Sequence, residues 1–378
     1  MSQPPHPQPP SRPPHAHPAG LHPAAALRGH DPAHHGEYHD DIIYPSPAPF
    51  LLVHLACLGA VWTGVPRSAL WTCFVLYVVR MFGVTAGYHR YFSHRTFRTG
   101  RAFQCVLAVL AQSSAQRGVL WWAATHRHHH LHSDTDLDVH SVRHRGFWYA
   151  HWGWVFAPRE PVETYHEEVA DLARFPELRW LDRWRYAPAA ALAVLCLTLG
   201  GWAGLVVGFF WSTVLVYHGT FLINSLAHVY GRARYVTGDD SRNNWWLALL
   251  TLGEGWHNNH HAYQRSTRQG FRWYEVDPTY YALRVLAWAG VVRDLGEPPA
   301  DLVRNERPLG RKVLERVARQ VAATFPAGAL HAPTLDEVRE RARATLAHTP
   351  SLDDVAARAR ELVAERAAGA AGPALAPG

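Results

Sequence analysis

Lysine is almost missing from this chain. Lys312 is the only one, so arginine supplies nearly all of the 37 basic residues behind a formal net charge of +6. An arginine bias of this kind fits a GC-rich bacterial source. No basic-aromatic module of nucleic-acid type accompanies it, which excludes nucleic acid as an expected partner. The four cysteines, Cys57, Cys73, Cys105 and Cys196, sit in apolar runs without CxxC pairing, excluding a disulfide framework and a cysteine metal site. There is no GxGxxG fingerprint and no flavin or haem module, so any redox chemistry needs outside electrons. Residues 1–41 are rich in Pro and His and lack the continuous apolar core of a signal peptide. They read as a disordered tail.

Long apolar runs, by contrast, are present. Phe50–Thr63 and Ser68–Tyr88 flank a Gly64-Val65-Pro66-Arg67 turn, and Tyr186–Gly204 and Leu205–Leu226 flank Gly200-Gly201. Each pair reads as a helical hairpin in a bilayer, where a span needs about 20 largely apolar residues. His54 within the first run reads as a packing residue. A fifth run, Ala102–Ala124, carries Gln112, Ser113, Ser114, Gln116 and Arg117, which are costly in lipid. It is expected to dip into the membrane or pack against the body without crossing. Four spans leave both termini and every histidine cluster on one side. The arginine-rich segments on that side make it cytoplasmic. The expected fold is an all-α integral membrane protein, with four transmembrane helices in two hairpins and a cytoplasmic helical cap. The expected domains are the tail, a body over 42–300 and a C-terminal appendage over 301–378. In the appendage, Thr334–Glu337 has the form of a capping box, and Ser351 with Asp354 resembles a second cap. An amphipathic hairpin is expected there.

The chemistry lies in the histidines. "THRHHH" places His126, His129 and His130 at i, i+3 and i+4, and "EGWHNNHH" repeats the pattern with His257, His260 and His261. On a helix each trio falls on one face and converges on one point. His128 and His132 point elsewhere and are expected not to be ligands. "GYHRYFSH" places His89 and His94 at i and i+5, about 140° apart on a regular helix, so they cannot share a face. His228, four residues after Asn224 at the end of the fourth run, is a ninth candidate. One zinc site is satisfied by about four ligands, so eight or nine imidazoles indicate two metals. Imidazole alone does not name the ion. Asp134, Asp136 and Asp138 are candidates to orient imidazole N–H groups from behind.

In these stretches, "RMFGVTAGYHRYFSHRTF", "HRHHHLHSDTDLDVH", "INSLAHVYG" and "NNWWLALLTLGEGWHNNHHAY", the chain resembles the membrane fatty-acyl desaturases that introduce a Δ9 double bond. The resemblance spans residues 45–295. It implies two iron ions held by His89, His94, His126, His129, His130, His228, His257, His260 and His261, with Asn224 holding a metal-bound water. It implies a bent acyl tunnel shaped by Gln116, Trp122 and Thr220. It also implies a reaction in which dioxygen removes two hydrogens from adjacent methylenes, leaving a cis double bond and water. Two electrons per turnover would come from a separate donor, a ferredoxin, a rubredoxin or a b-type cytochrome with its reductase. Acyl-CoA members commonly carry Arg-Asp just before the second histidine box, where this chain has Ala124 and Thr125. The carrier, CoA or lipid, is therefore open. The expected location is the bacterial cytoplasmic membrane. Competing readings are a di-iron acyl or alkyl hydroxylase, a membrane metal transporter and a structural zinc protein. A transporter would carry its polar ligands at the bilayer midplane, whereas these boxes lie beyond the ends of the runs.

Overall fold

A computed structural model describes residues 48–157, 166–326 and 333–370. The tail expected over 1–41 lies outside them. The described chain is mostly helical. Its one sheet pairs Arg98–Thr99 antiparallel to Val292–Arg293, tying the end of the first histidine box to the end of the body.

Two helices are long and apolar enough to cross a membrane, Arg67–Ser93 and Ala187–His228, and Ala48–Thr63 forms a shorter apolar helix. Gly64, at φ 67°, separates the first pair. In the long helix, Gly201 takes φ 59° and ψ −159°, a backbone open in practice only to glycine. A Cβ on Gly204 would lie 2.5 Å from the Cys196 carbonyl oxygen, so the chain after Gly201 packs back on the segment before it. Apolar side chains remain exposed on these helices: Val61, Trp62, Leu199 and Trp202 are 67–83 % accessible. A buried arginine, Arg80, bolts the helices together. Its guanidinium donates to the Ser113 carbonyl (3.2 Å), to Thr213 Oγ1 (2.7 Å) and to the Ser212 hydroxyl.

The fifth apolar run does not form one helix. Arg101–Gln112 and Val119–His132 are separated by a turn in which Ala115 and Arg117 have positive φ. Polar side chains satisfy the start of the second of these helices. Gln112 Oε1 accepts from the Val119 N–H, and Asp182 Oδ1 accepts from the Leu120 and Trp121 N–H groups.

Among the described residues after Pro308, three helices stand where a hairpin was expected: Arg311–Ala323, Leu335–Thr345 and Leu352–Ala370. Val317, Val338 and Val355 are fully buried in a small core of their own, each worth about 1.5–3 kcal/mol of transfer free energy. Thr334 and Glu337 form the capping box. The Ser351 hydroxyl instead accepts from the Leu309 N–H at 2.9 Å, so it pins the start of the appendage.

Candidate metal centre

Nine histidines meet in two groups. One ring nitrogen from each of His89, His94, His126, His130 and His260 lies within 4.8 Å of the others, and His129, His228, His257 and His261 meet likewise. These are the nine residues named from the sequence. How they are shared differs from the expectation, because neither HxxHH trio converges on one point. His126 and His130 join the first group and His129 the second; His257 and His261 join the second and His260 the first. The helix explains the split. At about 100° per residue, i and i+4 are only about 40° apart, whereas i+3 and i+4 diverge by about 100°. Each trio therefore bridges both groups.

His89 and His94 also share a group, against the helical-wheel expectation. The end of the long helix Arg67–Ser93, from Gly83 on, is wound as a π-helix, and the His94 N–H donates to the His89 carbonyl five residues back at 3.2 Å. The wider turn brings i and i+5 onto one side. Arg90, between them, is buried and donates to Glu254 at 3.1–3.2 Å and Asp277 at 3.0 Å, fixing this turn against the third box. Gly253 sits in the way of no side chain there. A Cβ on it would come within 2.4 Å of Asp277 Oδ1 and 2.8 Å of the Arg90 guanidinium. The two asparagines of "HNNHH" brace the short helix His257–Ala262. Asn258 Oδ1 accepts from the Arg234 and Tyr235 N–H groups, and Asn259 Nδ2 donates to Glu275 and to the Gln269 carbonyl. The neighbouring Trp256 donates its indole N–H to the Val276 carbonyl at 2.8 Å.

Behind the rings stand carboxylates. Nδ1–H groups are directed from His89 to Glu254 (2.5 Å), His129 to Asp138 (3.0 Å), His228 to Asp134 (2.9 Å) and His261 to Asp239 (2.8 Å). Asp136, expected beside Asp134 and Asp138, is exposed. The sequence reading missed Glu254 and Asp239, and also Gln264, whose amide lies 2.9 Å from His130 Nδ1. Glu254 stands three residues before the third box, but nothing local to "TGDDS" marks Asp239. Burial raises the Asp134 carboxyl, yet the His228 ring outweighs it and holds the group at about 2. Burial acts the same way on Asp239, and His261 draws it well below the usual carboxylate range. His126, His130, His257 and His260 are held well below the ordinary imidazole value by burial and then by neighbouring rings. They are neutral at neutral pH, the form a metal binds.

This donor set fits two cations. A neutral imidazole that gives its Nδ1–H to a carboxylate presents a lone pair at Nε2. His228 Nε2 nonetheless faces His257 Nε2 at 3.0 Å, and His89 Nε2 faces His260 Nε2 at 3.0 Å. The buried Nε2 of His261 has no protein partner. Without a cation each such contact needs one of the two rings to carry its hydrogen at Nε2, whereas a cation between them takes both lone pairs. An ion holding nitrogens at about 2.1 Å separates neighbouring ligands at right angles by about 3 Å. No carboxylate enters either nitrogen group, which is donor chemistry for a transition ion and not for calcium or magnesium.

A cavity opens beside the first group. Its walls are largely aromatic and include Phe50, Trp154, Tyr217 and Phe221, with His126 and Asn224 among the lining residues. Gln116, Trp122 and Thr220 all line it. Gln116 donates to Thr220 Oγ1 at 2.9 Å, and Trp122 is stacked between Tyr88 and the ring of His126.

With this geometry in view, the comparisons with known proteins are decisive. A family model described as fatty acid desaturase matches residues 67–292, a span that holds all nine histidines. The chain belongs to the fatty acid desaturase family. Among curated relatives, it is 38 % identical over 251 residues to the sn-1 stearoyl-lipid 9-desaturase of Anabaena variabilis, covering 65 % of this chain and 91 % of that protein. It is 38 % identical over 249 residues to an acyl-CoA 5-desaturase of Anemone leveillei, covering 65 % and 77 %. It is 36 % identical over 233 residues to the Delta-9 acyl-lipid desaturase 2 of Arabidopsis thaliana, covering 61 % and 76 %. Desaturase family membership accounts for the two imidazole groups and the apolar cavity together.

Proposed function

We propose that this protein is a dioxygen-dependent fatty-acyl desaturase that places a cis double bond at Δ9 of a saturated chain carried on lipid or CoA. The single observation that carries this reading is the sorting of nine buried or half-buried histidines into groups of five and four beside an apolar cavity. The five and the four would each hold one iron. Two irons supply the oxidising power to break unactivated C–H bonds, which no acid or base side chain has. The chain's own residues do the rest. Asp134, Asp138, Asp239 and Glu254 keep the imidazoles oriented, and Asn224, which lines the cavity with His126, would hold a water there. The aromatic cavity excludes bulk water, and Gln116, Trp122 and Thr220 hold the acyl chain so that one pair of carbons faces the histidines.

The apolar exposed helices support a four-span topology in the bacterial cytoplasmic membrane, with the histidines and both termini in the cytoplasm. Residues 42–300 form the catalytic body and 301–378 an appendage. The external electron donor, a ferredoxin, a rubredoxin or a b-type cytochrome with its reductase, is expected to be acidic. A cleft between the appendage and the body favours it. This cleft is lined by Arg143, Arg311, Lys312 and Arg319 around Asp134, the partner of His228. Lipid-linked substrate is supported by the Anabaena and Arabidopsis relatives and by Ala124-Thr125 in place of Arg-Asp.

The test is expression in a desaturase-deficient host that supplies electrons, followed by gas chromatography–mass spectrometry with double bonds located. Δ9 monoenes in the lipid fraction support the reading. Double bonds at Δ5 or Δ7 correct the position alone. Hydroxylated chains move the answer to oxygen insertion. No new product from iron-loaded protein with a competent donor ends the desaturase reading.

A further inference from the structure

Three further histidines, none of them in the two metal groups, form a file through otherwise apolar packing. The His54 Nδ1–H donates to the Phe50 carbonyl at 2.7 Å, and His54 Nε2 faces His218 Nε2 at 3.1 Å. On the opposite edge of its ring, His218 Nδ1 faces His151 Nε2 at 3.0 Å. His151 Nδ1 then meets Ser225 Oγ at 3.0 Å, and that hydroxyl also reaches the Phe221 carbonyl at 2.8 Å. The file crosses three elements, Ala48–Ala56, Phe147–His151 and Ser212–Asn224. His218 meets one neighbour with each ring nitrogen, so the contacts run in a line and do not close on a point as a metal site does. Ser225 adjoins Asn224, whose side chain lines the cavity.

Counting hydrogens shows what such a file can do. Five contacts join the Phe50 carbonyl, three imidazoles, the serine hydroxyl and the Phe221 carbonyl. Three neutral imidazoles and one hydroxyl bring four hydrogens. One contact is therefore always short of a proton, and one added proton satisfies all five. Because every ring has a partner at both nitrogens, an excess proton entering one end displaces another at the far end. Packing alone would favour leucine or phenylalanine at His54 and His218, which lie against Phe50, Tyr217 and Phe221. Ionisable residues kept inside apolar helices are characteristic of proton paths.

We propose that His54, His218, His151 and Ser225 form a proton relay that feeds the reaction site. The proposal rests on the desaturase reading, whose stoichiometry requires such a supply. Forming one double bond releases two protons and two electrons from the acyl chain. Reducing dioxygen to two waters takes four of each. Two electrons come from the external donor, and two protons must enter a cavity walled by aromatic rings. His54, half-buried and six residues from the start of the first apolar helix, is the entry. Ser225 is the inner terminus: its hydroxyl takes a proton from His151 Nδ1 and, on turning from the Phe221 carbonyl toward the Asn224 side, releases its own to the cavity.

The experiment uses the full-length iron-loaded protein with its donor, and the metal-free protein for a readout independent of turnover. His218→Gln, whose amide cannot pass a proton between its two ends, should lower kcat by about tenfold or more. Bound iron and KM for the acyl substrate should stay at wild-type values, and more than two electrons should be consumed per double bond. In metal-free protein labelled with 15N-histidine, NMR should show His54→Phe changing the tautomer of both His218 and His151, since one file shares its hydrogens. Wild-type turnover and coupling in His218→Gln overturn the relay. So does a tautomer at His151 that ignores the loss of His54, which decides the matter even where His218→Gln fails to fold or loses iron. If the wild-type protein makes no unsaturated chain, the desaturase reading fails on its own, while NMR still tests the file.

Discussion

The nine histidines of the metal centre each turn one ring nitrogen to a shared centre, whereas His54, His218 and His151 face one another in single file. Backing separates the two regions. In the centre, His89, His129, His228 and His261 each have a carboxylate behind Nδ1, which fixes one tautomer and aims the other nitrogen. In the file no carboxylate stands behind any ring; the ends are backbone carbonyls and a hydroxyl, which leave the tautomers free to exchange. The same side chain thus serves as a fixed ligand in one place and a mobile carrier in the other, according to what sits behind it.

The comparison can be broken at four points. The largest effect is expected from His260→Ala, which removes a ring shared by contacts with both His89 and His130. Desaturated product should fall below detection by chromatography, with iron lost from the purified protein. Asp239→Asn should weaken metal affinity about 10–100-fold by removing the charge behind His261, measured by competition with a chelator. His54→Phe should leave the iron content at the wild-type value while slowing turnover several-fold. Loss of iron from that variant would erase the distinction between ligand and carrier. The smallest effect belongs to His128→Ala. That ring meets the Leu137 carbonyl at 3.0 Å, near the surface and away from both metal groups. Product yield should be nearly unchanged, and stability should shift by no more than about 0.5 kcal/mol in thermal unfolding.

Much of this centre was legible in the chain. Two HxxHH motifs and an HxxxxH announce ligands because helical spacing is local, and the apolar runs announce their helices for the same reason. What was misjudged depends on departures from the ideal helix or on distant partners. The π-winding before His94 answers to packing around the buried Arg90, which the wheel of a regular helix does not contain. Asp239 lies 22 residues from His261 with no shared motif, and Asp136 has the right spacing but no burial. His54 read as packing because its partner His218, and His151 beyond it, stand 164 and 97 positions away in the chain, and only His218 lies within an apolar run.

The sequence by itself determined which residue types recur at helical spacing, and so which nine histidines stand near the ends of apolar helices. It determined the family as well, since its motifs carry that likeness. Tertiary structure alone decided how the nine divide, which carboxylates stand behind them, and that three other histidines line up. The reason is physical: periodicity along a chain is set by bonds between near neighbours, but a metal centre and a file of hydrogen bonds are both made of distances between helices, which exist only after the helices pack.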